Sequence, residues 1–339
     1  MIRYIAWLLF LSSFYYINCE TYCPIVNTYG EDRRTNLNNL TIMQYNIEWA
    51  FLDYYENADC PGNGCVWVNE TQSLRHLENI ANIIKKINPD IINFCEIEGC
   101  DELNYLKQRT SHNYNEYLIK GTDTATGQNV GMLTKIDPLI DLERNEEHYN
   151  YPIKGSNCGY EGDGSTGVSK HFITTFNFNS MKIAYISIHL IAYPTQPDRC
   201  AKREAQAKII QNTIESYISN GYEIIVIGDF NDYDKDIPDI NNSIPTSQVL
   251  QIIKGYQSSL YNLTNLNGMI KPYERYSNWW DKNENCVSSS DELVMIDHIL
   301  VTDKIKQMVK NVFMYQNYDM FCNSINSDHY PIIVNLMFN

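Results

Sequence analysis

The stretch E-I-I-V-I-G-D-F-N-D-Y-D, residues 223–234, joins an apolar run to a cluster of oxygen-bearing side chains. Residues 224–227 form a β-branched run of strand length, which is typical of a strand buried on both faces. Asp229, Asn231 and two further aspartates follow Gly228 closely. Carboxylate and amide oxygens suit hard cations such as Mg²⁺, and a carboxylate can orient an attacking water. Taken alone, an ordinary Asp/Asn/Gly turn explains the pattern better.

Four other strand-like runs end in similar polar side chains, and this shared feature outweighs the turn interpretation. These runs are residues 40–49 with Asn46 and Glu48, 91–96 with Glu96, 181–190 with His189, and 293–302 with Asp297; Asp328 and His329 precede a closing strand at 332–336. A carboxylate inside a very apolar run, such as Asp297, needs a partner if it is buried. Because strand ends of a layered sheet protein can converge into one cleft, we expect these side chains to form one site.

Two helices are predicted between the strands, over residues 69–88 and 198–219. In the first, Leu and Ile recur at three- and four-residue spacing, and Asn88 before a proline ends the pattern. Arg203 and Glu204 are assigned to a solvated face of the second helix. The alternation of apolar strands with helices predicts one α/β sandwich rather than two domains.

Residues 1–19 resemble a secretory signal peptide, with Arg3 ahead of an apolar body that is short for a membrane span. An uncleaved membrane anchor is the alternative. Ten cysteines fit an oxidising compartment. The chain also has N-x-S/T sequons at Asn39, Asn69, Asn241 and Asn262. We therefore predict a secreted, disulfide-containing glycoprotein in which residues 20–339 form a single domain.

Cysteine spacing suggests four disulfide pairs without fixing the connectivity. They are Cys60/Cys65, Cys95/Cys100, Cys158/Cys200 and Cys286/Cys322. A zinc site is the alternative, but the pairs lack the close Cys-x₂-Cys repetition that such a site usually shows. Removal of residues 1–19 would leave an odd number of cysteines, so one free thiol is expected.

The formal net charge of −15 describes an acidic protein. Such a surface repels nucleic acid and anionic membranes at long range. A phosphodiester substrate is still compatible with this charge, provided that bound cations or a local basic patch offset the repulsion at the site. No stable protein partner is predicted.

The predicted cluster favours metal-assisted attack of water on a phosphorus centre. Its oxygen-rich side chains suit Mg²⁺, with Mn²⁺ or Ca²⁺ as alternatives, and its two imidazoles add acid–base and anion-stabilising groups. No serine or cysteine has an evident activating base beside it. In such a site, neutralisation of charge supplies most of the catalysis.

Six short motifs occur together in the order of a known family. They are Y-N-I-E-W, P-D-I-I-N-F-C-E, I-S-I-H-L, I-G-D-F-N-D, I-D-H-I-L-V and S-D-H-Y-P-I. From about Thr41 to Leu336, the chain thus resembles the endonuclease/exonuclease/phosphatase superfamily, whose best known secreted member is pancreatic-type deoxyribonuclease. The resemblance implies an α/β, four-layered sandwich in which two central, mostly antiparallel or mixed sheets are flanked by helices.

The resemblance also implies which residues hold a catalytic Mg²⁺. Asn46 and Glu96 match the family's metal ligands, and Glu48 is an accessory carboxylate beside them. Asp328 resembles an additional carboxylate on the metal side. One departure is that Cys95 stands where the family commonly has Gln before the metal-binding Glu.

A second group of residues resembles the family's reacting machinery. His189 and Asn231 match residues that contact the scissile phosphate. Asp229 matches the carboxylate that orients or deprotonates the attacking water. His329 matches the histidine of a closing His–Asp pair, with Asp297 as the partner that fixes its tautomer.

The leading hypothesis is a secreted, metal-dependent phosphodiesterase, most simply a DNase-like endonuclease that acts on DNA. The alternatives are a phospholipid phosphodiesterase of the sphingomyelinase type, which alone would need a membrane, a phosphomonoesterase, and a non-enzymatic binding protein. The loop after His189 and residues 235–285 match no particular subfamily, so the resemblance implies the reaction better than the substrate.

Overall fold

The computed structural model describes residues 23, 25–26, 30–54, 65–110, 113–256, 258–283, 285–317 and 326–338. The predicted signal segment 1–19 lies outside them. In chain order the strands are β1 (Asn39–Ala50), β2 (Ile91–Ile97), β3 (Asn115–Leu118), β4 (Asn129–Thr134), β5 (Tyr149–Tyr151), β6 (Gly164–Thr166), β7 (Lys170–Phe178), β8 (Met181–His189), β9 (Glu223–Asp229), β10 (Thr264–Asn265), β11 (Asn278–Trp279), β12 (Leu293–Val294), β13 (Asp297–Val301), β14 (Val309–Met314) and β15 (Ile332–Met337). The helices are α1 (Glu70–Ile87), α2 (Cys100–Thr110), α3 (Pro197–Ser219), α4 (Val249–Ile253) and α5 (Asp303–Lys306), with 3₁₀ turns at Leu266–Met269, Pro272–Glu274 and Ser290–Glu292.

Most of these strands form two mixed sheets. The first sheet has the order β14-β15-β1-β2-β4-β3, and the second has the order β10-β13-β9-β8-β7. Strand β1 runs parallel to β2, and β8 runs parallel to β9. Each parallel pair is connected through a helix, α1 or α3, because parallel neighbours need a crossover. Two-stranded sheets β5–β6 and β11–β12 lie outside the main sheets.

The two main sheets pack face to face between helical layers, because side chains alternate along each strand. In β9, Ile225 and Ile227 enter the core between the sheets, whereas Ile224 and Val226 pack toward α3. The first sheet divides its side chains in the same way between this core and helices α1 and α2. This arrangement of helix, sheet, sheet and helix confirms the predicted four-layered α/β sandwich.

Helix α1 begins and ends where its sequence predicts. Asn69 is the N-cap, and its Oδ1 accepts a hydrogen bond from the backbone N of Gln72 at 3.0 Å. At the other end Asn88 adopts a left-handed φ of 51° just before Pro89, which favours termination there.

The prediction that Arg203 and Glu204 are solvated is wrong, since both side chains are fully buried. Arg203 Nε donates to Oδ2 of Asp232 at 2.9 Å, and its Nη atoms donate to carbonyls in the loop 191–194. Glu204 Oε1 accepts from the backbone N of Gln248 at 2.9 Å. Loops that follow β8 and β9 cover this part of α3, so its burial comes from tertiary contacts that the helical pattern does not contain.

The apolar run at 293–302 is not one strand as predicted. Strand β12 pairs with β11, whereas β13 pairs with β9, so the two halves of this run belong to two different sheets. Strand β14 was not predicted at all, because its exposed Lys310 and Asn311 interrupt the apolar alternation.

Two disulfides are described, Cys23–Cys100 and Cys158–Cys200. The second was among the predicted pairs. The predicted pairing of Cys95 with Cys100 is wrong, because Cys95 on β2 enters the core between the sheets as a buried free thiol.

Cys65 and Cys286 are also disulfide-bonded, and the partners expected for them, Cys60 and Cys322, lie outside the described residues. Disulfides are compatible with an extracellular protein. Within the described part of the chain, no helix combines the length and the apolar character that crossing a bilayer requires.

Gly228 ends the apolar part of β9, and its backbone φ is 147°. A Cβ added there would lie 1.8 Å from the carbonyl O of Ile188 on the paired strand β8. We expect Gly228→Ala to lower the free energy of unfolding by about 3 kcal/mol, because the paired strands must separate. Urea denaturation measures this loss.

The matched control for that substitution is Gly221→Ala. Gly221 has a φ of 78°, but nothing lies within 4 Å of an added Cβ. Only backbone strain then applies, and a loss of about 1 kcal/mol is expected. Equal losses in the two variants would contradict the steric explanation for Gly228.

Candidate active site

Polar side chains form one row across the second sheet. Lys170 on β7 lies opposite His189 on β8, His189 opposite Asp229 on β9, and Asp229 opposite Asp297 on β13. All four continue the strand faces that carry the core between the sheets. The row therefore closes that apolar core where β8 and β9 end and β7 and β13 begin.

The first sheet contributes Asn46 and Glu96 through two different local structures. Asn46 continues the inter-sheet face of β1. Alternation alone would send Glu96 to the helical face, because the neighbouring Cys95 enters the inter-sheet core. A register shift between Cys95 and Ile97, with Glu96 at a φ of 65°, instead turns this carboxylate toward Asn46. Asn46 Nδ2 donates to Glu96 Oε1 at 3.1 Å.

Asn46 and His189 connect the two sheets at this edge. Asn46 Nδ2 donates to Asp229 Oδ2 at 3.0 Å, and His189 Nε2 lies 3.8 Å from the same oxygen. The His189 Nδ1 atom is buried without a hydrogen-bond partner among the described residues. Burial lowers the pKa of His189, and the charge of Lys170 lowers it further. These surroundings favour the neutral form of the His189 imidazole, which lies at the centre of the site.

His329 and Asp297 form a buried hydrogen-bonded pair. Their Nδ1 and Oδ2 atoms lie 2.6 Å apart, and Gln44 Nε2 donates to the other Asp297 oxygen at 3.0 Å. Burial lowers the pKa of His329, but the charges of Asp297 and Asp328 outweigh burial and raise it well above its ordinary value. His329 Nε2 lies 3.9 Å from Asp229 Oδ2. The sequence predicts that Asp297 needs a partner if it is buried, and His329 is that partner.

Asp229 and Asn231 lie two residues apart on a turn that a hydrogen bond between them holds. The backbone N of Asn231 donates to Asp229 Oδ1 at 2.8 Å. Burial raises the pKa of Asp229 to about 7, and the charge of Asp297 adds to the rise. Asn231 has a φ of 50° and donates through Nδ2 to the carbonyl of Leu190 at 3.0 Å. A carboxylate that titrates near neutrality suits a group that exchanges a proton with water.

Glu48 and Asp328 add two further carboxylates beside this group. The backbone N of Asp328 donates to Glu48 Oε2 at 2.9 Å, and Asn278 Nδ2 donates to Asp328 Oδ2 at 3.1 Å. Burial raises the pKa of Asp328 to about 6. Burial, then the charges of Asp328 and Glu96, raise the pKa of Glu48 well above its ordinary value.

Within the described part of the chain, no lysine or arginine offsets this concentration of carboxylates. Among the described residues, no lysine or arginine forms an ion pair with Glu48, Glu96 or Asp328, whose ion-pair contacts are with histidines alone. Buried carboxylates normally need a compensating charge. Asn46 has an amide oxygen of the kind that hard cations bind; this Oδ1 accepts from the backbone N of Glu48 at 3.1 Å while Nδ2 faces the carboxylates, so coordination through Oδ1 requires the amide to turn. The donor set therefore fits a divalent cation.

A second grouping of possible ligands consists of Asp229, Asp297 and His329, whose ligand atoms lie within 4.8 Å of one another. The hydrogen bond between His329 Nδ1 and Asp297 already occupies one of the two imidazole nitrogens. The geometry is better explained as a His–Asp pair facing Asp229, which leaves the cation to the oxygen donors of the first sheet and Asp328.

The residues predicted from the sequence meet at this one edge of the sandwich. They are Asn46, Glu96, His189, Asp229, Asn231, Asp297, Asp328 and His329. Sequence reasoning missed Gln44, Gln128 and Lys170, which contact members of this set or lie beside them. The even spacing of Lys170 from Phe172 and Phe176 indicates a core-facing side chain, but only the strand register places it beside His189.

Comparisons with known proteins concern the family and the fold of the chain. A model of the Endonuclease/Exonuclease/phosphatase family matches residues 43–307. No curated protein matches the sequence significantly.

Solved structures show the same fold at low sequence identity. Truncated TDP2 of Caenorhabditis elegans is 15% identical, with 91% of this chain and 100% of that chain covered, at a TM-score of 0.53. An endonuclease/exonuclease/phosphatase family protein of Bacteroides thetaiotaomicron is 16% identical over 89% of this chain and 98% of its own, at 0.53. The mannosyl-6-phosphatase Bt3783 of the same bacterium is 16% identical over 88% of this chain and 100% of its own, at 0.52. At these identities the likeness concerns the fold alone.

Proposed function

The chain belongs to the endonuclease/exonuclease/phosphatase family, and on that premise we propose that it is a divalent-metal-dependent phosphodiesterase. Members of this family hydrolyse phosphoesters. The observation that carries the proposal is that the His329–Asp297 pair faces Asp229, 3.9 Å away, at the edge where Asn46 and Glu96 also lie. Acid–base groups and oxygen donors for a cation thus occupy one site.

The proposed metal ligands are Asn46, Glu96 and Asp328, with Glu48 as an accessory carboxylate. Mg²⁺ is the first cation to test, and Mn²⁺ and Ca²⁺ are alternatives, because all three take oxygen ligands. A bound divalent cation would supply charge neutralisation at the phosphoryl oxygens. The raised pKa values of Glu48 and Asp328 support this assignment, because burial and neighbouring carboxylates disfavour the charged form of both carboxyls more than the charge of His329 favours it.

The protein's own residues then divide the remaining tasks. Asp229 orients a water molecule and accepts its proton, which suits its pKa of about 7. His189 and Asn231 hold the phosphoryl group. His329 is held in its orientation by Asp297 and presents Nε2 toward Asp229, where its positive charge stabilises the negative charge that develops during attack.

DNA is the first substrate that we propose, as in the deoxyribonuclease-like members of the family. One observation favours a second candidate, a lipid phosphodiester. The side chains of Tyr273 and Trp280 are 62% and 64% exposed, and the intervening strand β11 is hydrogen-bonded to the backbone carbonyl of Asp328 through the N of Trp279. Exposed aromatic residues beside a site can contact apolar substrate groups. A phosphomonoester substrate and a non-enzymatic binding role are two further hypotheses for this site.

A substrate panel tests the proposed function. Purified, disulfide-intact protein is assayed on supercoiled plasmid, structured RNA, sphingomyelin vesicles and a phosphomonoester, each with Mg²⁺ and with EDTA. Metal-dependent nicking of plasmid supports the DNase-like proposal. If choline phosphate is the only product released, the substrate is a lipid rather than DNA. Inactivity on every substrate, together with failure to bind Mg²⁺, would favour the binding-protein hypothesis.

Substitution of Glu96 tests the metal assignment. We expect Glu96→Ala to lower the apparent affinity for Mg²⁺, because one anionic oxygen ligand is lost, and activity should be partly restored at high Mg²⁺ concentration. Titration of activity against Mg²⁺ measures the shift. Glu116→Ala on β3 is the control, since that carboxylate pairs with Lys107 instead. An unchanged Mg²⁺ dependence in Glu96→Ala would contradict the assignment.

The predicted secretion, glycosylation and single-domain organisation of residues 20–339 stay part of this proposal. The two described disulfides support an oxidising destination. Expression with the native first 19 residues, followed by N-terminal sequencing of the exported protein, tests whether the segment is removed.

A further inference from the structure

Gln128 lies immediately before β4 and is 4% exposed. Its Nε2 donates to Glu96 Oε2 at 2.8 Å, and the backbone N of Trp49 donates to the same oxygen at 3.2 Å. The other oxygen, Oε1, faces Asn46 and His189. One side of the Glu96 carboxylate is therefore held by protein donors, and the other side faces the site.

Lys170 determines which way the Gln128 amide points. Its side chain is nine-tenths buried, and its Nζ donates to Gln128 Oε1 at 3.1 Å. Because an ammonium group only donates, it requires the amide oxygen on its own side. The amide nitrogen is then directed at Glu96. Asp123 Oδ2 lies 3.4 Å from the same Nζ and helps to hold the lysine.

This chain of contacts spans the two sheets. Lys170 begins β7 of the second sheet, whereas Glu96 lies on β2 of the first sheet and Gln128 immediately precedes β4 of that sheet. Glu96 has a left-handed backbone at a register shift, and such a conformation persists only where its surroundings restrain it. Gln128 supplies a restraint of this kind.

From these contacts, and resting on the proposed metal-dependent function, we propose that Gln128 is a positioning residue that fixes the Glu96 carboxylate for metal binding. Lys170 acts through Gln128 by setting the orientation of its amide. Residues that hydrogen-bond to metal ligands commonly contribute a factor of about 10–100 in metal affinity.

The role of Lys170 can be separated from a direct effect of its charge, because the two predict opposite changes in Mg²⁺ affinity when the lysine is replaced. A positive charge beside the site repels a cation, so its removal alone should tighten Mg²⁺ binding. Loss of the amide orientation should weaken Mg²⁺ binding. Lys170→Arg keeps both the charge and a donor, and should retain the affinity of the wild-type protein.

Isothermal titration calorimetry of Mg²⁺ into the metal-free full chain tests the proposal. We expect Gln128→Met to bind Mg²⁺ about 10–100-fold more weakly than the wild type, and Lys170→Met to bind it several-fold more weakly. Adding Lys170→Met to Gln128→Met should cause no further loss, because the lysine acts through the glutamine. Gln307→Met is the control, since Gln307 is exposed and follows α5 at the opposite end of β13.

Thermal unfolding accompanies each titration, and Gln128→Asn, whose amide is one carbon short of Glu96, serves if Gln128→Met does not fold. Wild-type Mg²⁺ affinity in a folded Gln128 variant overturns the inference and leaves the proposed function standing. Tighter or unchanged binding by Lys170→Met overturns the role of the lysine. A wild-type protein that binds no Mg²⁺ overturns both the inference and the proposed function.

Discussion

Asp229→Asn is expected to lower turnover by about 10²–10⁴-fold, because the asparagine cannot accept a proton from the attacking water. The side chain keeps its size, so the loss should fall on the turnover number more than on substrate binding. Steady-state kinetics on the substrate that the panel identifies measures the change. The same substitution in Asp198, whose side chain is 41% exposed, is the control.

The stability of Asp229→Asn separates a chemical role from a structural one. Burial and the charge of Asp297 raise the pKa of Asp229, so removal of its charge relieves repulsion. In the wild type, Asn46 Nδ2 donates a hydrogen bond to the Asp229 carboxylate. In the variant it faces a neutral amide instead, and the weaker hydrogen bond opposes this gain. We expect little change in the free energy of unfolding. Retained turnover would contradict the role of Asp229, and an unfolded variant would indicate a structural role.

Arg203→Leu is expected to lower the free energy of unfolding by about 3–5 kcal/mol, because it leaves the buried Asp232 carboxylate without its cation. The substitution also removes the donors to the loop 191–194, which follows His189. That loop and the turn at 230–232 flank the site, so activity should fall together with stability. Urea denaturation measures the free energy.

Two further variants test this explanation. Arg199→Leu on the same helix removes a guanidinium that is 38% exposed and lies 3.9 Å from Asp198, so a change within about 1 kcal/mol is expected. Asp232→Leu combined with Arg203→Leu removes both buried charges and should recover part of the loss. Equal effects of the Arg199 and Arg203 substitutions would show that the buried pair is not the cause.

The amino-acid sequence by itself determined the long helix α1, the buried strands and the polar side chains that follow them. Local patterns are sufficient for these features, since the spacing of leucine and isoleucine marks α1 and the apolar run of β9 marks a buried strand. The sequence placed Asp229 and Asn46 only at or near strand ends, and in the structure each continues the strand face that carries the core between the sheets. The order of six motifs added the family, which the match over residues 43–307 confirms.

Tertiary structure decided the features that depend on residues far apart in the chain. Alternation misplaces Glu96, and only the register shift between β2 and β4 returns its carboxylate to the site. Cys23 forms a disulfide with Cys100, which lies 77 residues later in the chain. Arg203 is buried by the loops that follow β8 and β9. Lys170 joins the polar row across the second sheet only through pairing with β8. Strand register and loop packing arise from contacts between distant segments, so no local pattern in the sequence records them.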